Sequence, residues 1–428
     1  MKRFGAGVLV CAAALTGAVL PERASACGGC FAPQGSPTVV TRHQMAVALS
    51  PAETTLWDQI EYAGNPEDFV WVLPVRGGVP VELAENAFFE ALEQATRITM
   101  QAPNPPVTFC SDPCGGFLAS ADSAERGAPG ADAGASVTVH HQATIGPYET
   151  VTIGSEDPDA LVAWLRDRDY AVPDSILPTI RHYTDQGMDF AVLRLAPNAG
   201  VNQMQPVRVT MPGMNPTFPL RMVAAGVEGK VGLELFVFAE GRYEASNFTN
   251  ALVDRERITY DWATGAFNYD ALYLEAATTE GGRVWVTEFA QDATYLGIDY
   301  YTSYDERGDP HYARDDWEVV TRGIASPYLT RLTSDMPAEF LIEDLVLAAS
   351  TGADLGNFIQ VTRELNRAPD VVCSNVCTDP YGSGGGLGWR SGGRGDGLCS
   401  VSAARTGSMV GLGALALAGV ALVLRRRR

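Results

Sequence analysis

Glycine and proline break this chain at short intervals, with 44 glycines and 26 prolines in 428 residues. Proline fixes φ and removes a backbone donor, and glycine weakens the interior of any regular element. Long helices are therefore excluded over most of the chain, and short strands, turns and short helices remain. The apolar runs between the breaks agree. Phe69-Val70-Trp71-Val72-Leu73 is continuous, β-branched and aromatic, as in a central strand buried on both faces.

Strands are expected over 39–49, 54–62 and 68–74, with a turn at Asn65-Pro66-Glu67-Asp68. Leu83, Ala87, Phe88, Ala91, Leu92 and Ala95 share the spacing of one helical face, which predicts an amphipathic helix over 83–97. Residues 108–136 lose periodicity and read as a long surface loop pinned by Cys110 and Cys114. Paired strands are expected over 137–141 and 148–153. Asp157 as N-cap and Pro158 at the first position open a helix to residue 170, and Pro173 opens another to about residue 183. Further strands are expected over 189–195, 207–211, 220–225, 233–239, 283–289, 317–321 and 328–333. The type of 339–347 is left open. Val-Trp-Val occurs at 70–72 and again at 284–286, a weak hint of duplication. The expected fold class is α+β: mainly antiparallel β-sheet with a few short amphipathic helices, stabilised by disulfides.

Both ends carry sorting signals. Lys2 and Arg3 precede an apolar run over 4–20, and Ala24-Ser25-Ala26 is a small-residue cleavage site, together a secretory signal peptide. Cleavage after Ala26 makes Cys27 the first mature residue. That also admits a lipoprotein reading, although Ala24 stands where a lipobox carries a large aliphatic residue. At the other end, 381–398 is a Gly-rich spacer, followed by Cys399, an apolar run over 409–424 and Arg425 to Arg428. Sixteen residues of helix reach ~24 Å against a hydrocarbon core of ~30 Å, a marginal span, and the arginines resist translocation. The arrangement resembles the MYXO-CTERM sorting signal, with Cys399 at the signature cysteine. The resemblance implies cleavage by a membrane protease and attachment at the cell surface. A plain C-terminal membrane helix is the competing reading.

Removing the leader takes three basic residues and one acidic residue, and removing the tail takes five arginines. That leaves 23 basic against 50 acidic residues, a net charge of −27. Such a surface repels phosphate backbones, so nucleic acid is not an expected partner. The expected partners are signal peptidase, a C-terminal sorting protease and the membrane, reached through the tail or a lipid. The identity of an extracellular ligand is open.

Of eight cysteines, Cys11 leaves with the leader and Cys399 belongs to the tail. The rest form three close couples, Cys27/Cys30, Cys110/Cys114 and Cys373/Cys377. An even count in an exported chain reads as disulfides. Pairing within couples closes short loops that add little stability, and cross-pairing would add more. Zinc at the C-x-x-C couple and a thiol–disulfide motif at Cys27-Gly28-Gly29-Cys30 are the competing readings. The five histidines, His43, His140, His141, His182 and His311, form no H-E-x-x-H, and G-x-S-x-G does not occur. Gly384-Gly385-Gly386 lies in the spacer, so no phosphate loop and no cofactor is expected. Asp315-Asp316-Trp317-Glu318 is the one dense carboxylate cluster singled out, read as a solvated edge or as a catalytic or calcium group.

The body resembles the family of domain of unknown function 2330, a group of exported bacterial proteins. The matching residues are Ala26-Cys27-Gly28-Gly29-Cys30-Phe31, Phe69-Val70-Trp71-Val72-Leu73-Pro74-Val75, Leu161-Val162-Ala163-Trp164-Leu165 and Tyr328-Leu329-Thr330-Arg331-Leu332. The resemblance implies an exported α+β domain and brings no catalytic residues. The expected organisation is a leader over 1–26, an exported body over 27–350 with a subdomain boundary near 110–136, a Cys-containing segment over 351–380, the spacer over 381–398 and the tail over 399–428. The expected function is a non-enzymatic structural or binding role at the cell envelope. The rival is a secreted hydrolase built on Asp315, Asp316 and Glu318.

Six oxidised cysteines fix a measurable mass. The mature protein under denaturing, non-reducing conditions is expected to run about six mass units below its fully reduced form. Free thiols at four or more of these positions, or stoichiometric zinc, would contradict the disulfide reading.

Overall fold

The computed structural model describes residues 30–31, 39–63, 70–104, 139–168 and, with short breaks, 172–368. The leader with Ala26, the turn over 65–68, the loop over 108–136, the spacer and the tail lie outside the described residues. So do Cys27, Cys110, Cys114, Cys373, Cys377 and Cys399. Of Cys30 the backbone alone is described, where it pairs with Trp71. The α+β class is therefore observed, and the expected disulfide stabilisation is not: the couples Cys27/Cys30, Cys110/Cys114 and Cys373/Cys377 each have at least one member outside the described residues. Two compact units are present. The larger takes residues up to Gln101, Gly130–Ile258 and Asn268–Ile359; the smaller takes Ala102–Pro129, Thr259–Phe267 and Gln360–Arg428.

The larger unit is built on two sheets. An eight-stranded sheet runs in the order Thr249–Ala251, Val284–Asp292, Tyr328–Pro337, Lys230–Ala239, Val39–Leu49, Glu53–Ala63, Val207–Pro212 and Glu82–Leu83. Ser50 closes its first hairpin, with its hydroxyl donating to the Glu53 carbonyl at 2.8 Å and accepting from Glu53 N at 3.0 Å. A five-stranded sheet runs in the order Cys30–Phe31, Val70–Val75, Asp189–Leu195, Tyr148–Ile153 and Val139–Ile145. The expected antiparallel character holds for most pairs. Lys230–Ala239 against Val39–Leu49 is parallel, however, as is Thr249–Ala251 against Val284–Asp292, so the large sheet is mixed.

Burial orders the layers. Every residue of Val70–Val75 is buried, and its alternating side chains serve two cores. Trp71, Leu73 and Val75 meet Met45, Val47 and Leu56 of the large sheet. Val70 and Val72 meet Leu161, Val162, Leu165 and Ile180 of two helices, α2 (Pro158–Arg166) and α3 (Leu177–Asp185). The outer face of the large sheet is covered by α1 (Asn86–Thr96) and α6 (Arg314–Gly323), through Phe88, Phe89, Leu92, Val319 and Val320 against Trp57, Phe236 and Phe238. The result is four layers, helix, sheet, sheet, helix. Two short helices, α4 (Leu220–Val223) and α5 (Tyr269–Ala277), complete the unit.

Several expectations change for physical reasons. Residues 317–321 are expected as a strand and are helical in α6. Buried Ala313 just before it and Asp316, Val319 and Val320 within it follow helical spacing, which overrides the strand propensity of Trp and Val. Residues 220–225 are expected as a strand, yet Thr217–Phe218 takes the pairing, with Val346 and Leu345, and Pro219 ends it before α4. The helix expected from Leu83 begins at Asn86, because Glu82–Leu83 pairs with Val207 and Arg208 as a sheet edge. The helix opened by Asp157 ends at Arg166, and Asp157 Oδ1 does cap it, accepting from Asp159 N at 2.9 Å. The two Val-Trp-Val tripeptides lie in different sheets. Residues 339–347, whose type the sequence leaves open, contain most of a single 3-10 turn, Ala338–Phe340, and the start of the strand Leu345–Ala349.

The large sheet also carries a buried polar row beside α1. Gln44 Nε2 donates to Glu234 Oε2 at 2.5 Å, Arg331 pairs with Glu234, and Arg331 Nη2 reaches Glu93 at 3.4 Å. The smaller unit contains a three-stranded sheet of Thr259–Asp261, Ala266–Phe267 and Arg363–Leu365. Its aromatic knot sets Tyr260 5.0 Å from both Trp262 and Phe267.

The aromatic contact under α1 holds the outer layer on the sheet. Phe88 is fully buried, 5.3 Å from Trp57 and 6.2 Å from Phe238 between ring centroids. Phe88→Ala is expected to destabilise the protein by about 3–5 kcal/mol, read as a lowered urea midpoint. A change under about 0.5 kcal/mol, the usual range for surface substitutions, would contradict this packing.

Candidate functional site

The carboxylate cluster at 315–318 divides when folded. Asp315 and Glu318 are exposed on α6, and Asp316 is fully buried. Asp316 Oδ1 accepts from Trp57 Nε1 at 2.8 Å and from Arg208 Nη1 at 2.7 Å. Its Oδ2 accepts from the backbone N of Glu85 at 2.8 Å. Arg208 in turn donates through Nε to Glu82 Oε2 at 2.9 Å. Burial opposes the charge on Arg208, but its hydrogen bond to Glu82 and the charge of Asp316 prevail and hold its pKa above the ordinary value. One carboxylate thus joins α6, two strands of the large sheet and the entry to α1. Its oxygens are committed to these donors, and the three carboxylates do not converge on one site.

The fixed entry to α1 builds the wall of a cleft. Glu85 Oε2 lies 2.7 Å from His311 Nδ1. A carboxylate only accepts, so Nδ1 carries a proton toward Glu85, and the other ring nitrogen, Nε2, is left out of this contact. Gln59 Nε2 donates to Asn86 Oδ1 at 3.0 Å and fixes that amide. Asn86 and His311 line a broad cleft of about 1720 Å³, counting its open mouth. The facing wall is the Gly146-Pro147 turn and the segment through Gln203 and Gln205. Tyr148 pins that wall: its hydroxyl donates to the Gln205 carbonyl at 2.7 Å and accepts from Gln205 N at 3.0 Å. Burial raises the Tyr148 pKa, so the hydroxyl stays neutral as this role requires.

A hairpin forms the rim. Thr302–Tyr304 pairs with Pro310–Tyr312. Asp305 Oδ1 closes the tip by accepting from Arg307 N and Asp309 N, each at 2.9 Å. The backbone hydrogen bond from Asp309 lowers the Asp305 pKa. Gly308 at φ +84° supplies the left-handed turn that a side chain would resist.

A second polar pair lies between the sheets. His43 Nε2 and Asp58 Oδ1 share a hydrogen bond at 2.7 Å, and both residues are buried. Burial pushes the Asp58 carboxyl above its usual range, and His43 opposes the rise. His140 sits 3.7 Å from Asp189 and His141 is exposed, so the adjacent histidines do not act together. Among the described residues, no group of three or more His, Cys, Asp or Glu could hold a metal ion. The cysteines Cys27, Cys110, Cys114, Cys373 and Cys377 and the processing residues Ala26 and Cys399 lie outside those residues. No described helix is long and apolar enough to cross a membrane.

Fold and cleft together define an α+β protein of two packed sheets with helices on both outer faces. The chain belongs to the family described as an uncharacterised protein conserved in bacteria, DUF2330, whose model matches residues 21–320. That span includes every cleft residue named above. No curated protein matches. Among solved structures, the chain is similar to baculovirus P35, with a TM-score of 0.32 and 10% identity over 74% of this chain and 98% of that one, a likeness too loose to argue from.

The Asp316 network predicts a large asymmetry between single and double replacement. Asp316→Ala leaves Arg208 with Glu82 as its one carboxylate partner and removes the acceptor of Trp57 Nε1 and Glu85 N, and is expected to cost about 3–5 kcal/mol. Arg208→Met added to Asp316→Ala is expected to cost less than the sum of the two single losses in a double-mutant cycle read by urea unfolding. Additive losses would contradict the pairing.

Proposed function

We propose that this chain is an exported envelope protein, displayed at the cell surface through its C-terminal tail, that binds a ligand in the cleft walled by Asn86, Gln205 and His311. The observation that carries this reading is the pre-organisation of the cleft. Its polar groups are held by buried contacts, Asp316 behind one wall and Tyr148 behind the other. Walls fixed before binding spare the ordering cost of association, and convergent polar groups in a wide concavity are the usual marks of a ligand site. Display rests on the leader ending at Ala26 and on the spacer, Cys399, apolar run and arginines at the other end. The short run holds the precursor while a protease acts near Cys399, and a lipid then supplies the firmer anchor.

One observation favours a second reading. Glu85 and His311 form a carboxylate–imidazole pair, the arrangement that orients a general base. In that reading Nε2 activates water in the cleft, and the protein is a secreted hydrolase. A broad hydrolase screen of mature protein and His311→Gln separates the two readings. Turnover that disappears in the variant would establish the second.

Display is tested through the tail. Cys399→Ala is expected to leave a full-length, membrane-retained precursor. C-terminal peptide mapping of the native surface form is expected to recover nothing from residues 401–424. Recovery of those peptides would overturn the sorting account and restore a plain membrane helix.

A further inference from the structure

Three tyrosines on one short stretch stand in solvent. Tyr295 is 92% exposed, Tyr300 80% and Tyr304 70%. With Tyr301 and Tyr312 they place five of the chain's 15 tyrosines within residues 295–312. A tyrosine ring offers roughly 150–250 Å² for burial, so three exposed rings in ten residues leave much stabilising contact unused. Neighbours on the same stretch are packed: Ala293 and Ile298 are buried, and the Tyr301 hydroxyl donates to Glu90 Oε2 at 3.2 Å. The exposure is therefore selective, not a sign of a loose segment. Tyr304 itself lines the cleft beside Asp305 and His311.

Resting on the reading of the cleft as a binding site, we propose that its ligand is a neutral, hydroxyl-rich sugar chain. Rigid tyrosines give contact area at little entropic cost, and the apolar face of a sugar ring fits an aromatic face. The edges of the sugar carry hydroxyls that both donate and accept. The side-chain amides of Asn86, Gln203 and Gln205 also carry both functions. Charge selects the neutral class. The chain carries a formal net charge of −20, which repels anionic glycans and phosphates. A basic peptide would need unpaired anions in the cleft. The acidic groups there are already engaged, Glu85 with His311 and Asp305 with Arg307.

The test uses the mature protein on an array of neutral oligosaccharides, anionic oligosaccharides and basic peptides, with calorimetry on each hit. At least one neutral oligosaccharide is expected to bind. Affinity is expected to fall roughly five- to tenfold with Tyr304→Ala, the scale of one aromatic contact. It is expected to change little between about 50 and 500 mM salt, because no ion pair is formed. Equal urea midpoints for the variants exclude misfolding as the cause. No neutral binding, or binding indifferent to Tyr304→Ala, would overturn the proposal. Anionic sugars or basic peptides bound in the neutrals' place, and weakened by Asn86→Ala, would overturn it while leaving the cleft as a binding site. If no probe of any class responds to Asn86→Ala, the sugar proposal and the cleft reading fall together.

Discussion

The buried carboxylate of Asp316 is the contact on which the cleft depends. A charge taken out of water is costly unless donors surround it, and Asp316 is given three: an indole, a guanidinium and a backbone amide. Such a network contributes little net stability compared with a well-packed apolar alternative. Its effect is on geometry. The amide is that of Glu85, and the Glu85 carboxylate holds His311, so the rim hairpin and the entry to α1 are positioned through one buried group.

Stability comes from elsewhere. The interior between the two sheets is almost wholly apolar, with Trp71, Leu193, Val209, Leu235 and Trp285 fully buried. The outer face of the large sheet divides its work. Its aromatic part, Trp57, Phe236 and Phe238, receives α1 and α6, and its polar part carries Gln44, Glu234 and Arg331. The apolar area holds the layers together, and the polar groups fix register, because a shift of one residue would place Arg331 and Glu234 against the wrong neighbours. The cleft lies where this scaffold presents loop and helix ends, which is where binding groups are normally set on a rigid frame.

The local pattern of the chain is legible where one period dominates. Residues 189–195 read as a strand and form one, and the run over 69–73 reads as doubly buried, with Val70–Val75 serving two cores. The reading fails where propensity and period disagree. Trp317, Val319 and Val320 favour strands as residue types, yet their burial follows a helix. The site is less legible still. Asp316 stands out in the sequence only as part of a charged cluster, because nothing local reveals that Trp57 and Arg208, distant in sequence, meet it in the fold. His311 is one of five histidines without a motif. Its partner Glu85 is 226 positions away, a separation that no spacing rule bridges. The tyrosine density over 295–312 is a local signal near the cleft, and it carries weight only through Tyr304, the exposed ring that lines it.

Ligand engagement at this face of the protein is read most directly by hydrogen–deuterium exchange of the mature protein, alone and with solubilised material from its own envelope. Slowed exchange at the cleft walls, 85–87, 146–147, 196–205 and 302–312, with the segment over 217–223 unchanged, is the predicted footprint. Protection centred on 217–223, or no protection at either cleft wall, would contradict it.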